Sequence, residues 1–164
     1  MQRMNSSYSL RVAEPRDVPA IAGLIAELAE FEGLSHMLQL TPEKLQPHLF
    51  GPKPVVEALV GECDGEVVAF ALYFTNFSTF LAKPGLYLED LYVRPAHRRS
   101  GLGKAILSRL AQIAVERDYG RFEWSVLDWN EDAIRFYENM GASVLPEWRI
   151  CRLTGDALAA YRKA

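Results

Sequence analysis

Tyr87 to Leu107, YLEDLYVRPAHRRSGLGKAIL, concentrates glycines and basic side chains between two patterns. A β-rich acidic run breaks into Arg98, Arg99, Ser100, Gly101, Leu102, Gly103 and Lys104, and an apolar helix repeat follows. A helix start offers unpaired N–H groups and the positive end of its dipole, so it attracts anions. Glycines let an anion approach the backbone closely. The chemistry implied is a cradle for phosphate or pyrophosphate. Two known phosphate patterns do not fit. The P-loop would need Gly at 98 and Ser or Thr at 105, where Arg98 and Ala105 stand. The dinucleotide fingerprint would need a third glycine where Ile106 stands. What fits is Arg-x-x-Gly-x-Gly over 98–103, after an acidic strand.

The elements that position this loop can be read from periodicity. A first strand is predicted over 8–13. A helix is predicted over 15–31, with Val18, Ile21, Ala22, Ile25, Leu28 and Ala29 on one face and Asp17 in the first turn. Thr41 as N-cap and Pro42 at the first position predict a short helix over 41–50, limited by Pro47. Asp64-Gly65 between two apolar runs predicts a β-hairpin. Residues 85–93 predict another strand. Residues 101–120 predict the strongest helix, with Leu102, Ile106, Leu107, Leu110, Ile113 and Ala114 in one stripe and Gly120 at its end. A strand over 121–128 follows, then a helix over 130–141 with Asn130 as N-cap and Gly141 at C′. A last strand over 143–153 and a C-terminal helix complete the order. The strand–helix–strand unit at 85–128 implies a parallel pair at the centre of a mixed sheet. The expected architecture is a three-layer α/β domain spanning 1–164.

Composition narrows the function classes. The chain has 164 residues, enough for one domain with a real core. A net charge of −3 does not suggest a general nucleic-acid binder and suits a cationic substrate. Cys63 and Cys151 have neither zinc-site nor disulfide-framework spacing, and read as reduced core or strand residues of a cytoplasmic protein. The N-terminus lacks a secretory apolar region, and no run reaches the roughly 18 residues of a membrane span. His36, His48 and His97 form no metal or triad pattern.

Four stretches together resemble the spermidine/spermine (diamine) acetyltransferase family of the GNAT superfamily. They are ELAEFEGLS (27–35), YLEDLYVRPAHRRSGLGKAIL (87–107), VLDWNEDAIRFYENMGA (126–142) and EWR (147–149). LAEFEGLS and VLDWN look more like the thialysine N-epsilon-acetyltransferase branch. The resemblance implies a mixed, mostly antiparallel sheet with a central splayed parallel strand pair and helices on both faces. It also implies acetyl-CoA as donor, no metal, and a homodimer. By position, Leu91, Tyr92 and Val93 would offer backbone groups to the pantetheine arm. Arg98, Arg99, Ser100, Gly101, Leu102, Gly103 and Lys104 would hold the pyrophosphate. Asn130, Glu131, Asp132 and Ala133 would touch the cosubstrate beside the helix carrying Tyr137. Phe31, Glu32, Glu89, Asp90, Glu123, Trp124, Ser125, Glu147 and Trp148 would line the amine site. Three departures stand out: family members often have Gly at Arg99, polyamine acetylators have Tyr at Phe31, and the loop from Gly141 to Trp148 is shorter.

Acetyl transfer to an amine sets three chemical demands. A lysine-like amine, with a pKa of about 10.4, is neutral in roughly one molecule in a few thousand at pH 7, so a base or proton path is needed. The amine must lie within about 3–3.5 Å of the thioester carbon. The departing thiolate needs a proton or stabilisation. Tyr137, seven residues after Asn130, suits the last task as general acid. Glu89 and Asp90 are neighbours on a strand and would point to opposite faces. Glu89 is assigned to the amine, as binding group and base through water. Glu27, Glu30 and Glu32 would steer a cation toward the acceptor mouth. Trp124, Trp129 and Trp148 could cover the aliphatic part of a diamine. Cys63 and Cys151 lie outside this set, so transfer is expected to be direct, in a ternary complex. The expected acceptors are thialysine, lysine-like amino acids and diamines or polyamines. The rivals are protein lysine or N-terminal acetylation and a CoA-binding sensor without turnover.

Overall fold

The structure is a computed structural model that describes residues 7–163. The chain groups into two compact units, a larger one ending at Ser125 and a smaller one beginning at Val126. The larger unit carries strands β1 (Tyr8–Val12), β2 (Glu57–Cys63), β3 (Glu66–Ser78), β4 (Lys83–Val93) and β5 (Phe122–Trp124). Its helices are α1 (Val18–Phe31), α2 (Pro42–Phe50) and α3 (Leu102–Glu116). The strands lie in the order β1-β2-β3-β4-β5. The first four are antiparallel, and β4 and β5 are parallel.

Local chemistry forms these elements as the sequence indicates. Asp64 and Gly65 have φ of 51° and 83°, the two positive values of a tight hairpin turn. Thr41 accepts a hydrogen bond from the Lys44 N–H and caps α2, which continues through Pro47 to Phe50. Asp17 is buried, accepts from the Glu14 N–H at 2.7 Å and takes two bonds from the Arg11 guanidinium at 2.6 and 2.8 Å. Arg11 also holds Glu62, so one guanidinium ties α1's entry to β1 and β2.

The sheet is covered on both faces. Val18, Ile21, Leu24 and Ile25 of α1 and Leu45 and Leu49 of α2 share a core with Ala58, Val60, Phe70, Leu72 and Tyr92. On α3 all six stripe residues are buried. Its first residue, Leu102, comes so near the sheet that a Cβ on Gly61 would meet its side chain at 3.1 Å. That close seat fixes the start of α3 against β2.

Three expectations need correction. α3 ends at Glu116, and the left-handed residue after it is Asp118, with φ of 56°, not Gly120. Asp118 and Tyr119 N–H groups bond Val115 and Ala114 carbonyls at 3.0 and 2.9 Å, a Schellman ending. Gly120 is small for another reason: a Cβ there would lie 2.9 Å from Leu81. The strand expected over 121–128 is shorter, Phe122–Trp124. Residues 143–153 form no strand, and a turn at Pro146 and Glu147 interrupts them. The parallel pair therefore stands at the end of the strand order.

The smaller unit holds α4 (Glu131–Asn139) and α5 (Gly155–Ala159). Asn130 caps α4 through its side chain, which accepts from Ala133 N at 3.3 Å. Gly141, with φ of 98°, ends it as expected. Among the described residues no helix is long and apolar enough to cross a membrane, and none form a group of three or more metal-ligating side chains. Both cysteines are free; Cys63 ends β2, whereas Cys151 is exposed and outside any strand.

Candidate active site

Two irregularities in β4 build the site. The register with β3 shifts between Leu72 and Tyr73: Tyr73 faces Leu88, but Leu72 faces Asp90. Glu89 is thus the extra residue of a β-bulge. The bulge resets the alternation of the strand. Leu88 pairs with Tyr73, whereas Asp90 and Tyr92 pair with Leu72 and Phe70, which belong to the core under α1 and α2. Parallel pairing with β5 covers only Leu86 to Leu88. Among the described residues none pairs with β4 on that side from Glu89 onward, which leaves its edge open.

The bulge puts three carboxylates in electrostatic reach of one another. Glu89 is exposed and Glu32 half-buried. Asp90 is largely withdrawn from water, and that burial, with Glu89 and then Glu32 nearby, pushes its pKa up to about 6. Glu32 is itself raised by burial. A carboxyl raised in this way is matched to proton transfer near neutrality. The sequence puts both residues in the amine site and assigns the base to Glu89; the bulge, which depends on β3 and is not visible in β4 alone, gives the two carboxylates different environments.

The glycine loop starts at the other end of β4. Arg99 and Gly101 have φ of 62° and 85°, so two left-handed residues turn the chain into α3. Glycine would take the conformation at position 99 without cost, and this chain accommodates an arginine there in a strained region. The Ser100 hydroxyl donates to the His97 carbonyl at 2.6 Å and accepts from the Leu102 N–H at 3.3 Å, which fixes the turn. Tyr8 anchors His97 from β1 through a 2.9 Å bond to Nδ1.

Gly103 is the informative glycine. Its φ is not left-handed, and a Cβ there would meet only Val93, at an ordinary 3.8 Å. Nothing in the protein itself requires glycine, although a helix position loses about 0.5–1 kcal/mol relative to Ala. The bare backbone leaves room for a group outside the chain, as a pyrophosphate cradle requires. Gly103→Ala should therefore gain about 0.5–1 kcal/mol in denaturant unfolding while raising the KM for acetyl-CoA several-fold. A gain in stability without change in KM would remove Gly103 from the cradle.

The Arg98 side chain makes its contacts within the chain. The residue's backbone opens the loop, but its Nε donates to the Val93 carbonyl at 2.9 Å. The guanidinium carbon lies 5.3 Å from the Phe31 ring centre and 5.4 Å from that of Tyr92. It thus reaches toward the α1 side. Glu123, Trp124 and Ser125 lie on and just after β5; Glu123 is opposite Tyr87, and the Tyr87 and Ser125 hydroxyls are 2.9 Å apart. In the smaller unit, Asn130 to Ala133 form the capped start of α4. Tyr137 lies within α4, and burial raises its phenol above the ordinary value. Glu147 lies in the turn and Trp148 is exposed.

Comparison with known proteins agrees with this geometry. Residues 24–142 match the model of the acetyltransferase (GNAT) family. The L-ornithine N5-acetyltransferase of Arabidopsis thaliana is 38% identical, over 94% of this chain and 87% of its own. The thialysine N-epsilon-acetyltransferase of Mus musculus is 37% identical, over 93% of this chain and 96% of its own. Among solved structures, an integron cassette protein of V. cholerae superposes with a TM-score of 0.81 at 23% identity, covering 98% of this chain and all of that one. An aminoglycoside acetyltransferase from a soil metagenome superposes at 0.77 with 17% identity, covering 92% and 97%.

Proposed function

This chain belongs to the GNAT acetyltransferase family, and we propose that it transfers acetyl from acetyl-CoA directly to a primary amine of a small cationic acceptor. Lysine-like amino acids, ornithine, thialysine and short diamines are the first acceptors to consider, with polyamines next. The observation that carries this reading is the carboxylate set Asp90, Glu89 and Glu32 at the open edge of β4. The names of two relatives, which act on ornithine and thialysine, support the acceptor class.

In this reading the residues divide the work. The turn from Arg99 to Lys104 holds the pyrophosphate, and the free edge of β4 at Leu91 to Val93 holds the pantetheine arm. The bound thioester supplies the acetyl group and the leaving thiolate. Glu89 and Glu32 draw the ammonium in. Burial raises a carboxyl and lowers an ammonium, so the same dry environment narrows the gap between Asp90 and the amine. Asp90 takes the proton, which leaves two neutral groups where charge is disfavoured. Exposed Glu89 passes the proton to water. Tyr137 gives its phenolic proton to the departing sulfur, and the second proton that the attacking nitrogen sheds as the amide forms restores the phenol.

The deciding experiment is acetyl-CoA-dependent thiol release with thialysine, lysine, ornithine, putrescine, spermidine, spermine and a lysine peptide. Turnover on at least one small amine, above that on the peptide, is expected. Preference for the peptide would favour protein acetylation. Silence on all, with CoA bound, would favour a sensor. A second prediction concerns the loop. Arg99→Gly keeps the left-handed turn and removes only the charge, so the fold should persist while the KM for acetyl-CoA rises about ten- to a hundredfold, roughly one charge-assisted bond. An unchanged KM would leave Arg99 outside the cradle.

A further inference from the structure

An open cavity of about 310 Å³ lies between the end of α1 and the end of β4, lined by Glu27, Glu30, Phe31, Tyr92, Pro95 and Arg98. Its contents are unusual for a passage that serves only a diamine. It holds carboxylates, which suit ammonium groups, and also a guanidinium, which repels them. A ligand end carrying both charges satisfies both. Arg98 is prepared for this task. Its Nε is spent on the Val93 carbonyl, and Phe31 and Tyr92 flank its guanidinium carbon. These contacts hold the fork and leave its terminal nitrogens for the paired hydrogen bonds of a carboxylate. Glu27 is already engaged by Arg94 at 3.2 Å and by the Tyr92 hydroxyl. Glu30 is exposed at the rim.

The spacing also fits. Asp90 and Tyr92 are two residues apart on one face of β4, about 6.6 Å along the strand. The three or four methylenes between the reacting amine and the α-carbon of ornithine or lysine span roughly 5–6 Å. An amine at Asp90 therefore puts its α-carbon beside Tyr92.

We propose that this cavity is the subsite for the α-amino-acid end of the acceptor, with Arg98 binding the α-carboxylate and Glu30 the α-ammonium. The inference rests on the amine-acetyltransferase reading and refines it: the enzyme selects basic amino acids over diamines of equal length.

Two matched pairs test it, since putrescine is ornithine without its carboxylate and cadaverine is lysine without its own. In each pair kcat/KM should favour the amino acid at least tenfold. Arg98→Met should lower the ornithine-to-putrescine ratio at least tenfold, and Arg98→Lys, which keeps the charge but loses the fork, should lower it less. The ratio cancels any effect on acetyl-CoA, which is common to both acceptors. Calorimetric titration of the CoA-bound protein with each acceptor should give the same order. An unchanged ratio in Arg98→Met, or a parent enzyme that uses both members equally, overturns the subsite while leaving amine acetylation standing. No acetylation of any of the four, with CoA bound, overturns the subsite, and the parent reading falls with it only when thialysine, spermidine and spermine are silent as well.

Discussion

Asp90→Asn should remove most turnover and make the protein more stable. The loss follows from the carboxylate's proposed role. A positioned base contributes about 10²–10⁴-fold, so kcat/KM for the best amine should fall at least 100-fold. The gain follows from the cost of its charge. Asp90 is held at about 6, against an ordinary 3.8, first by burial and then by Glu89 and Glu32. A raised folded pKa means that the folded state disfavours the ionised form. Stability is therefore highest below the unfolded value and is lost as pH rises through about 6. Above that, the ionised side chain costs roughly 2–3 kcal/mol, which the amide avoids. At pH 8 the variant should need more denaturant to unfold than the parent, and at pH 3 the difference should close. The parent's kcat/KM should climb as pH rises through the same region, and residual activity of the variant should not. A variant that is inactive and also less stable at pH 8 would mean that the carboxylate has a structural partner, and the base would have to be sought in Glu89.

The contrast between Glu89 and Asp90 shows where residue patterns stop. The hairpin at Asp64-Gly65, the cap at Thr41 and the stripe of α3 are set within a few residues, so they are legible in the chain. The glycine loop is legible too, because closely spaced glycines before a helix have few other uses. The bulge is different. It is a relation between β3 and β4, and no feature of YLEDLYV announces it. Without it Glu89 is as good a base as its neighbour; with it, Asp90 moves to the dry face beside the end of α1. Arg98 is a similar case. Its place before Gly101 suggests the phosphate, but its side chain is directed by Phe31, 67 positions earlier, and by Tyr92. At 143–153 apolar residues suggest a strand, yet a strand exists only through its partners, and Pro146 removes one donor within a turn. Gly120 sits where a helix stop belongs, while Asp118 takes the left-handed position and leaves Gly120 to make space for Leu81.

Tyr137→Phe should lower kcat at least tenfold and leave the KM for acetyl-CoA within about twofold, because the role proposed for the hydroxyl is to protonate the departing sulfur rather than to bind. The phenol is suited to the task by its environment. Burial raises it above its ordinary value near 10, so it keeps its proton through neutral and mildly alkaline pH. Two opposite dependences on pH should then appear in the parent enzyme. Deprotonation of the acceptor and of Asp90 should lift activity from the acidic side, and no alkaline fall assignable to Tyr137 should appear below about pH 10. In the Phe variant the thiolate must leave without that proton, so the chemical step becomes limiting and single-turnover rates should match kcat. A Phe variant with turnover within threefold of the parent would free Tyr137 of the role. A change confined to the KM for acetyl-CoA would recast it as a binding residue, and the proton for sulfur would then have to come from water.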